Sequence, residues 1–269
     1  MSLTIALVGT DGLILAADSR TTEGYTLAGP KIRDDSVKFI QLNENWGVLT
    51  YGLSDIGQAG ITALREKISK GPDPLSLASV LEESTQIFNR VSNDWSKNNP
   101  EIMRRDKDVG FMIGGYDKKE KGFRVFNFQS PDFLSNRLNG RCLLGGQWHI
   151  AKFLVKKFFT EEARTDTLKA LAVFLLDATM TVEKTVGGAI RLAIVTESKG
   201  FEWVQEEEMK RLLESNQTFR RYLQEHFYAA LNSIPLPSAC LPVGRGRGEG
   251  EGVRYTNRRN RKKLGTHDG

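Results

Sequence analysis

Cysteine and histidine are scarce in this sequence of 269 residues, which has two of the former and three of the latter. Cys142 and Cys240 lie far apart with no histidine pair near either, so neither a disulfide framework nor a zinc site is predicted. Long apolar runs are also missing, because a stretch such as 168–176 is far shorter than the roughly 20 residues that cross a bilayer. The first residues lack the basic and then apolar pattern of a secretion signal. We therefore expect a cytoplasmic protein that does not enter a membrane.

The net charge of +5 lies in residues 233–269, where eight basic side chains face three acidic ones, whereas residues 1–232 are neutral. This segment is rich in glycine, proline and arginine, and such a composition cannot bury enough apolar surface to offset the entropy of ordering. We predict a single domain over 1–232 and a disordered basic tail over 233–269. The tail is expected to be a solvated extension, so nucleic acid is not an expected partner.

Strand-like and helix-like patterns alternate along residues 1–232. Short apolar runs separated by turn residues predict hairpins, and apolar residues at helical spacing predict helices in pairs. Such an order predicts an α+β domain in which two antiparallel sheets face one another and helices cover their outer faces. The predicted order is strands in 3–53, two helices in 56–95, strands in 109–144, two helices in 148–180, strands in 189–205 and one helix over 209–227.

Several motifs together resemble the proteasome family of N-terminal nucleophile hydrolases. The stretch "TIALVGTDGLILAADSRTT" is followed by "SVKFIQLNENWGVLTYGLSDIGQAG", and later by "VGFMIGGYD", "LLGGQ" and "TVGGAIRLAIV". Each motif is weak by itself, whereas their order and spacing are specific. The resemblance covers most of 1–232 and implies a four-layer αββα sandwich, the N-terminal nucleophile hydrolase fold.

The resemblance implies that Ser2 is the nucleophile, because the family's threonine lies 16 residues before the aspartate that matches Asp18. Removal of Met1 would give Ser2 a free α-amine, whose reference pKa of about 8 suits it to accept the hydroxyl proton. Lys38 matches the lysine whose charge lowers the pKa of that amine, and Asp18 would pair with it. Gly52 matches the glycine whose N–H stabilises the oxyanion. The implied reaction is amide hydrolysis through an acyl ester on Ser2, with no metal and no cofactor.

The sequence departs from the family's pattern at the nucleophile and at three supporting positions. Serine replaces threonine at Ser2, so the methyl group that restricts the rotamer is missing. Glu183 and Val186 stand where the family has an aspartate and a serine that support the terminal amine, and Gly146 stands where it has another serine. Glu183 keeps the negative charge on a longer side chain.

Alternatives remain at the lysine and at the nucleophile. Lys38 is slightly farther from Ser2 than in the family, which requires a short insertion around residues 29–30, and Lys31 is the second choice. Thr4 could act only after a further cleavage, although alternation places it on the same face of the strand as Ser2.

The resemblance also bears on partners. It implies a polypeptide substrate and a homo-oligomer, in a ring or a related assembly, and it leaves open whether an ATP-driven unfoldase delivers the substrate. The competing hypothesis is a catalytically silent subunit that keeps the fold for assembly.

Overall fold

The structure is a computed structural model that describes residues 2–26, 29–70, 77–101, 108–137 and 140–233. None of the helices formed by these residues has the length and apolar content of a membrane span. The tail predicted over 233–269 lies outside the described residues except for Ser233. The division into 1–232 and 233–269 therefore stays a prediction.

Twelve strands and five helices are formed in the described ranges. The strands are β1 (Leu3–Val8), β2 (Leu13–Ala17), β3 (Thr21–Thr26), β4 (Gly29–Arg33), β5 (Phe39–Gln41), β6 (Trp46–Gly52), β7 (Val109–Asp117), β8 (Gly122–Gln129), β9 (Asn136–Arg137), β10 (Cys142–Gly146), β11 (Arg191–Thr196) and β12 (Gly200–Trp203). The helices are α1 (Ser54–Lys70), α2 (Leu77–Asn98), α3 (His149–Phe158), α4 (Thr165–Val182) and α5 (Glu206–Ser233). The chain divides into two compact units, Met1–Tyr222 and Leu223–Gly269, and their boundary falls inside α5.

Two five-stranded sheets, antiparallel at every pairing, form the centre of the first unit. The first sheet has the order β10-β1-β2-β11-β12, and the second has the order β5-β6-β7-β8-β9. One cluster of buried residues joins α1 and α2 to the second sheet, another joins α3 and α4 to the first sheet, and a third lies between the sheets. The predicted four-layer α+β sandwich is therefore confirmed.

Strand β1 shows how alternation sorts side chains between these layers. Leu3, Ile5 and Leu7 pack on the helices, whereas Ala6 packs between the sheets, because successive side chains point to opposite faces of a strand. Thr4, which has the same parity as Ala6, is fully buried. Both faces of β1 are thus buried, and β1 begins at the residue directly after Ser2.

The insertion predicted around residues 29–30 lies in a separate two-stranded hairpin, β3 and β4. The expected strand "SVKFIQL" is shorter than predicted, because β5 contains three residues, Phe39–Gln41. Lys38 therefore lies immediately before β5, and its carbonyl accepts a hydrogen bond from Thr50 N at 2.8 Å.

Aromatic rings fill the layer between the second sheet and its helices. Phe88 of α2 stacks on Phe111 of β7 with centroids 3.7 Å apart, and Phe128 and Phe133 pack around this pair. Gly60 of α1 leaves room for it, since a Cβ there would lie 2.6 Å from Phe111 Cζ. The stack fixes how closely α1 and α2 approach the sheet.

Replacing Phe111 with alanine should lower the free energy of unfolding by about 3–5 kcal/mol, because a buried ring is lost and a cavity remains. Urea denaturation followed by circular dichroism measures this change. Leu134→Ala is the control, since Leu134 is 65% exposed and should change stability by no more than about 0.5 kcal/mol. Equal losses in the two variants would contradict the described core.

Candidate active site

Four of the candidate residues lie where strands begin or end. Ser2 precedes β1, Asp18 follows β2, Lys38 precedes β5 and Gly52 ends β6. The register that pairs Thr4 with Ala17 places the beginning of β1 beside the end of β2. The first two residues therefore come from one sheet and the other two from the facing sheet, and they meet at the same end of the sandwich.

The contact that joins the sheets at this end is an ion pair between Asp18 and Lys38. Lys38 Nζ donates to both carboxylate oxygens of Asp18 at 3.1 Å, and it also donates to the carbonyl oxygen of Arg20. Asp18 is 1% exposed and Lys38 is 6% exposed. Burial lowers the pKa of Lys38 from its ordinary value, while the Asp18 carboxylate opposes this shift.

The Asp18 carboxylate also accepts three hydrogen bonds from the backbone. Leu3 N donates to Oδ1 at 2.9 Å, while Gly187 N and Arg20 N donate to Oδ2 at 3.1 and 3.2 Å. These bonds satisfy the carboxylate oxygens and hold the chain on both sides of Asp18. One side chain thus connects the start of β1, the segment before β11 and Lys38.

Ser2 is held through its backbone. It is 3% exposed, its carbonyl oxygen accepts a hydrogen bond from Gln147 N at 2.7 Å, and the next amide, Leu3 N, is bound by Asp18. Gly146, directly before Gln147, has φ +80°, and a Cβ there would collide with the Ser2 carbonyl oxygen. Glycine is therefore required at position 146 for the chain to approach Ser2 so closely.

Gly52 is the second glycine with a left-handed conformation at the site. Its φ is +89°, and a Cβ would collide with the carbonyl oxygen of Asp108. This oxygen accepts the next amide, Leu53 N, at 2.9 Å. The sharp turn from β6 into α1 thus depends on glycine, which supplies the positive φ at little steric cost.

Glu183 and Val186 make local and core contacts, respectively. Glu183 caps the end of α4, and its Oε1 accepts hydrogen bonds from Thr185 N at 3.1 Å and Thr185 Oγ1 at 2.8 Å. Val186 is fully buried among the helix-facing residues of the first sheet. Support of the Ser2 amine by Glu183 stays a prediction. The contact from this loop to Asp18 comes instead from Gly187 N, for which the "GG" of "TVGGA" was the available signal.

The two alternatives of the sequence analysis have different surroundings. Lys31 is exposed in β4, whereas Lys38 is buried against Asp18. Thr4 is fully buried, and its Oγ1 has no hydrogen-bond partner in the described part of the chain. The geometry therefore favours Lys38 over Lys31 as the lysine of the site.

A second ion pair closes the base of the β3–β4 hairpin beside the site. Arg20 Nε and Nη2 donate to the two Asp34 carboxylate oxygens at 2.7 and 2.8 Å, and Nη1 donates to Lys184 O at 3.1 Å. Ser19 Oγ donates to Asp34 O at 2.6 Å. The hydrogen bonds from Arg20 lower the pKa of Asp34. These contacts bring the two ends of the β3–β4 hairpin together. Lys38 therefore reaches Asp18 although the hairpin lengthens the chain between them.

Two facing antiparallel sheets between two helix layers are the layered fold of the N-terminal nucleophile hydrolases. Solved structures of similar fold include Anbu (ancestral beta-subunit) from Yersinia bercovieri, with TM-score 0.64 and 17% identity over 87% of this chain and 97% of that one. The helical assembly of the Anbu complex from Pseudomonas aeruginosa gives TM-score 0.70 and 20% identity over 88% and 99%.

The family follows from the sequence match. The family model described as "Proteasome subunit" matches residues 2–195, so the chain belongs to the proteasome subunit family. A curated relative, "Proteasome subunit beta 2" of Nitrosopumilus maritimus (strain SCM1), is 24% identical over 217 residues, which are 78% of this chain and 93% of that protein. The resemblance read from the motifs is therefore confirmed.

Replacing Lys38 with methionine should destabilise the protein by about 3–5 kcal/mol, because the buried Asp18 carboxylate loses its cation. The variant that also carries Asp18→Asn should lose less than the sum of the two single changes, since no unpaired charge stays buried. Urea denaturation measures the free energy of unfolding of the two single variants and of the double variant. Lys199→Met is the control: Lys199 is 68% exposed in its ion pair with Glu202, and its loss should cost no more than about 1 kcal/mol. Additive effects of the two buried changes would contradict the coupling.

Proposed function

We propose that this chain is a proteasome-type peptidase that hydrolyses peptide bonds with Ser2 as its N-terminal nucleophile after removal of Met1. The observation that carries the proposal is the buried Asp18–Lys38 ion pair, which is bonded to Leu3 N, the amide directly after Ser2. A charged pair in a water-poor site next to a small hydroxyl residue can shift the ionisation of groups at that residue. Membership of the proteasome subunit family supports the same reaction.

In the proposed reaction, the α-amine of Ser2 accepts the proton from Oγ while Oγ attacks the carbonyl carbon of a substrate peptide bond. The N–H of Gly52 donates to the oxyanion of the tetrahedral intermediate. The C–N bond then breaks, and the leaving amine takes the proton from the Ser2 ammonium. Water attacks the resulting ester and gives one proton back to the α-amine, which returns it to Oγ as the carboxylic acid product leaves.

Lys38 and Asp18 have separate tasks in this scheme. The Lys38 ammonium lowers the pKa of the Ser2 amine, which keeps the amine neutral enough to act as the base. Asp18 holds Lys38 in place and offsets the desolvation that favours its neutral form. The two side chains also hold the chain on the carboxyl side of Ser2 through Leu3 N.

Self-association is proposed as the setting of this activity. Family membership and the Anbu structures, one of which is a helical assembly, support an oligomer of this chain in a ring or a related assembly. Exposed apolar side chains such as Phe153 of α3, 62% exposed, and Val182 of α4, 69% exposed, fit such contacts. A cytoplasmic location and a polypeptide substrate belong to the same proposal.

Ser2→Ala should abolish acylation by a peptide β-lactone, because the attacking hydroxyl is lost. Intact-protein mass spectrometry first shows whether Met1 has been removed and then whether one acyl group is added. Ser2→Thr should retain labelling, as the family's nucleophile is threonine.

Thr4→Val is the matched control, because it removes a buried hydroxyl two residues away on the same strand face. Labelling should persist in this variant. Loss of the adduct in Thr4→Val but not in Ser2→Ala would identify Thr4 as the nucleophile and contradict the role of Ser2. A chain that keeps Met1, or whose Ser2 is never labelled, would favour a catalytically silent assembly subunit.

The rate of Ser2 acylation should rise with pH, because the reactive form contains the neutral α-amine. The midpoint should lie below the reference pKa of about 8 for such an amine, since the Lys38 ammonium disfavours its protonation. The measurement is the initial acylation rate between pH 5 and 9 by intact mass, with Ser2→Thr as the control that keeps the amine. A rate that falls with rising pH would contradict the proposed base.

A further inference from the structure

Tyr51, the penultimate residue of β6, has its ring wedged between the two sheets beside the candidate site. It has the same parity as Leu49, which packs between the sheets, so its side chain points towards the first sheet. Its hydroxyl donates to Asn127 Oδ1 of β8 at 2.9 Å, and burial raises its pKa. The half-buried side chain is therefore held at both ends, by the backbone of β6 and by the hydrogen bond of its hydroxyl to Asn127.

Glycines on both sides make room for this ring. Gly110 is paired with Tyr51 on β7, and a Cβ there would collide with Tyr51 Cζ. On the facing sheet, a Cβ at Gly145 of β10 would lie 2.5 Å from Tyr51 Cδ1 and 2.5 Å from Thr4 Oγ1. Neither glycine has the positive φ that would by itself favour glycine. The space that a side chain would occupy at both positions is therefore taken by the Tyr51 ring.

The ring also lies next to the backbone that holds Ser2. A Cβ at Gly146 would lie 3.4 Å from Tyr51 Cβ and would collide with the Ser2 carbonyl oxygen. Gln147, the next residue, donates its N–H to that same oxygen. Tyr51 is directly followed by Gly52. One side chain thus contacts the strand end that holds Ser2, while its own backbone leads into the proposed oxyanion donor.

We propose that Tyr51 is a positioning residue, whose ring acts as a spacer between β6 and β10 and sets the separation between Ser2 and the Gly52 N–H. This role rests on the proposed function, in which these two groups attack and stabilise the same carbonyl. The hydrogen bond to Asn127 fixes the hydroxyl end of the ring, and Gly110 and Gly145 leave the space in which the ring lies. Because a displacement of about 1 Å between reacting groups can cost on the order of 10²-fold in rate, such a spacer has a direct effect on catalysis.

The test compares Tyr51 with Tyr116, a matched tyrosine between the same two sheets. Tyr116 is 4% exposed, and its hydroxyl donates to Glu197 Oε1 at 2.6 Å. It lies at the opposite end of β6, since its N–H donates to Asn45 O. Each tyrosine is changed to phenylalanine and to leucine in the full chain. The acylation of Ser2 by a peptide β-lactone is then measured over a range of probe concentrations by intact mass.

Tyr51→Leu should lower the saturated acylation rate by about 10²-fold, with little change in the half-saturating probe concentration, because binding is kept and alignment is lost. Tyr51→Phe keeps the ring and lacks only one hydrogen bond, so it should be acylated about tenfold more slowly than the unchanged chain. Both Tyr116 variants should acylate at the rate of the unchanged chain. Circular dichroism establishes that each variant is folded at the assay temperature.

Amide hydrogen exchange gives a readout that does not depend on the reaction. Tyr51→Leu should speed exchange in peptides covering 2–7, 50–56 and 142–148, whereas Tyr116→Leu should not. Equal slowing of acylation in the two leucine variants, failure of phenylalanine to rescue, or unchanged exchange beside Ser2 would each overturn the positioning role. An unchanged chain that forms no Ser2 adduct would instead overturn the proposed function, and the positioning role with it.

Discussion

The arrangement of the candidate site depends on one buried ion pair, Asp18 with Lys38. A carboxylate and an ammonium removed from water are costly unless each is fully bonded, and here Asp18 accepts three backbone N–H groups while Lys38 donates to both carboxylate oxygens and to Arg20 O. The pair joins the end of β2 to the beginning of β5, so it also bridges the two sheets. Its geometry consequently relates the separation of the sheets to the position of the residue that precedes β1.

Packing elsewhere in the sandwich fixes the separation of the layers that the ion pair joins. The stacked Phe88 and Phe111 rings set the layer between the helices and the second sheet, and the Tyr51 ring lies between the sheets against Gly110 and Gly145. Close packing transmits such spacings because a protein interior has few voids into which a side chain can move. Glycines at 145 and 146 are part of the same arrangement, since the ring and the Ser2 carbonyl use the space where their side chains would be.

The sequence allowed the layers, the order of elements and the meeting of Asp18 with Lys38 to be predicted, because hydrophobic periodicity and the proteasome-like motifs are local signals. The β3–β4 hairpin was anticipated only as an insertion, since its pairing depends on the Arg20–Asp34 contact. Gln147 was missed as a site residue because it acts through its backbone N–H, which leaves no trace in residue type, and Gly187 was signalled only by the "GG" of "TVGGA". The Glu183 carboxylate is bonded to Thr185, a local contact that competes with any longer reach and that family resemblance does not reveal.

The Asp18 carboxylate draws its partners from three distant stretches of chain, with Gly187 lying 169 residues from it. The contact with Gly187 forms only when the chain has closed a large loop, at an entropic cost that grows with loop length. Until the two sheets have closed on one another, Ser2 is an ordinary serine with an ordinary backbone around it. The proposed reactivity of Ser2 therefore requires the completed fold.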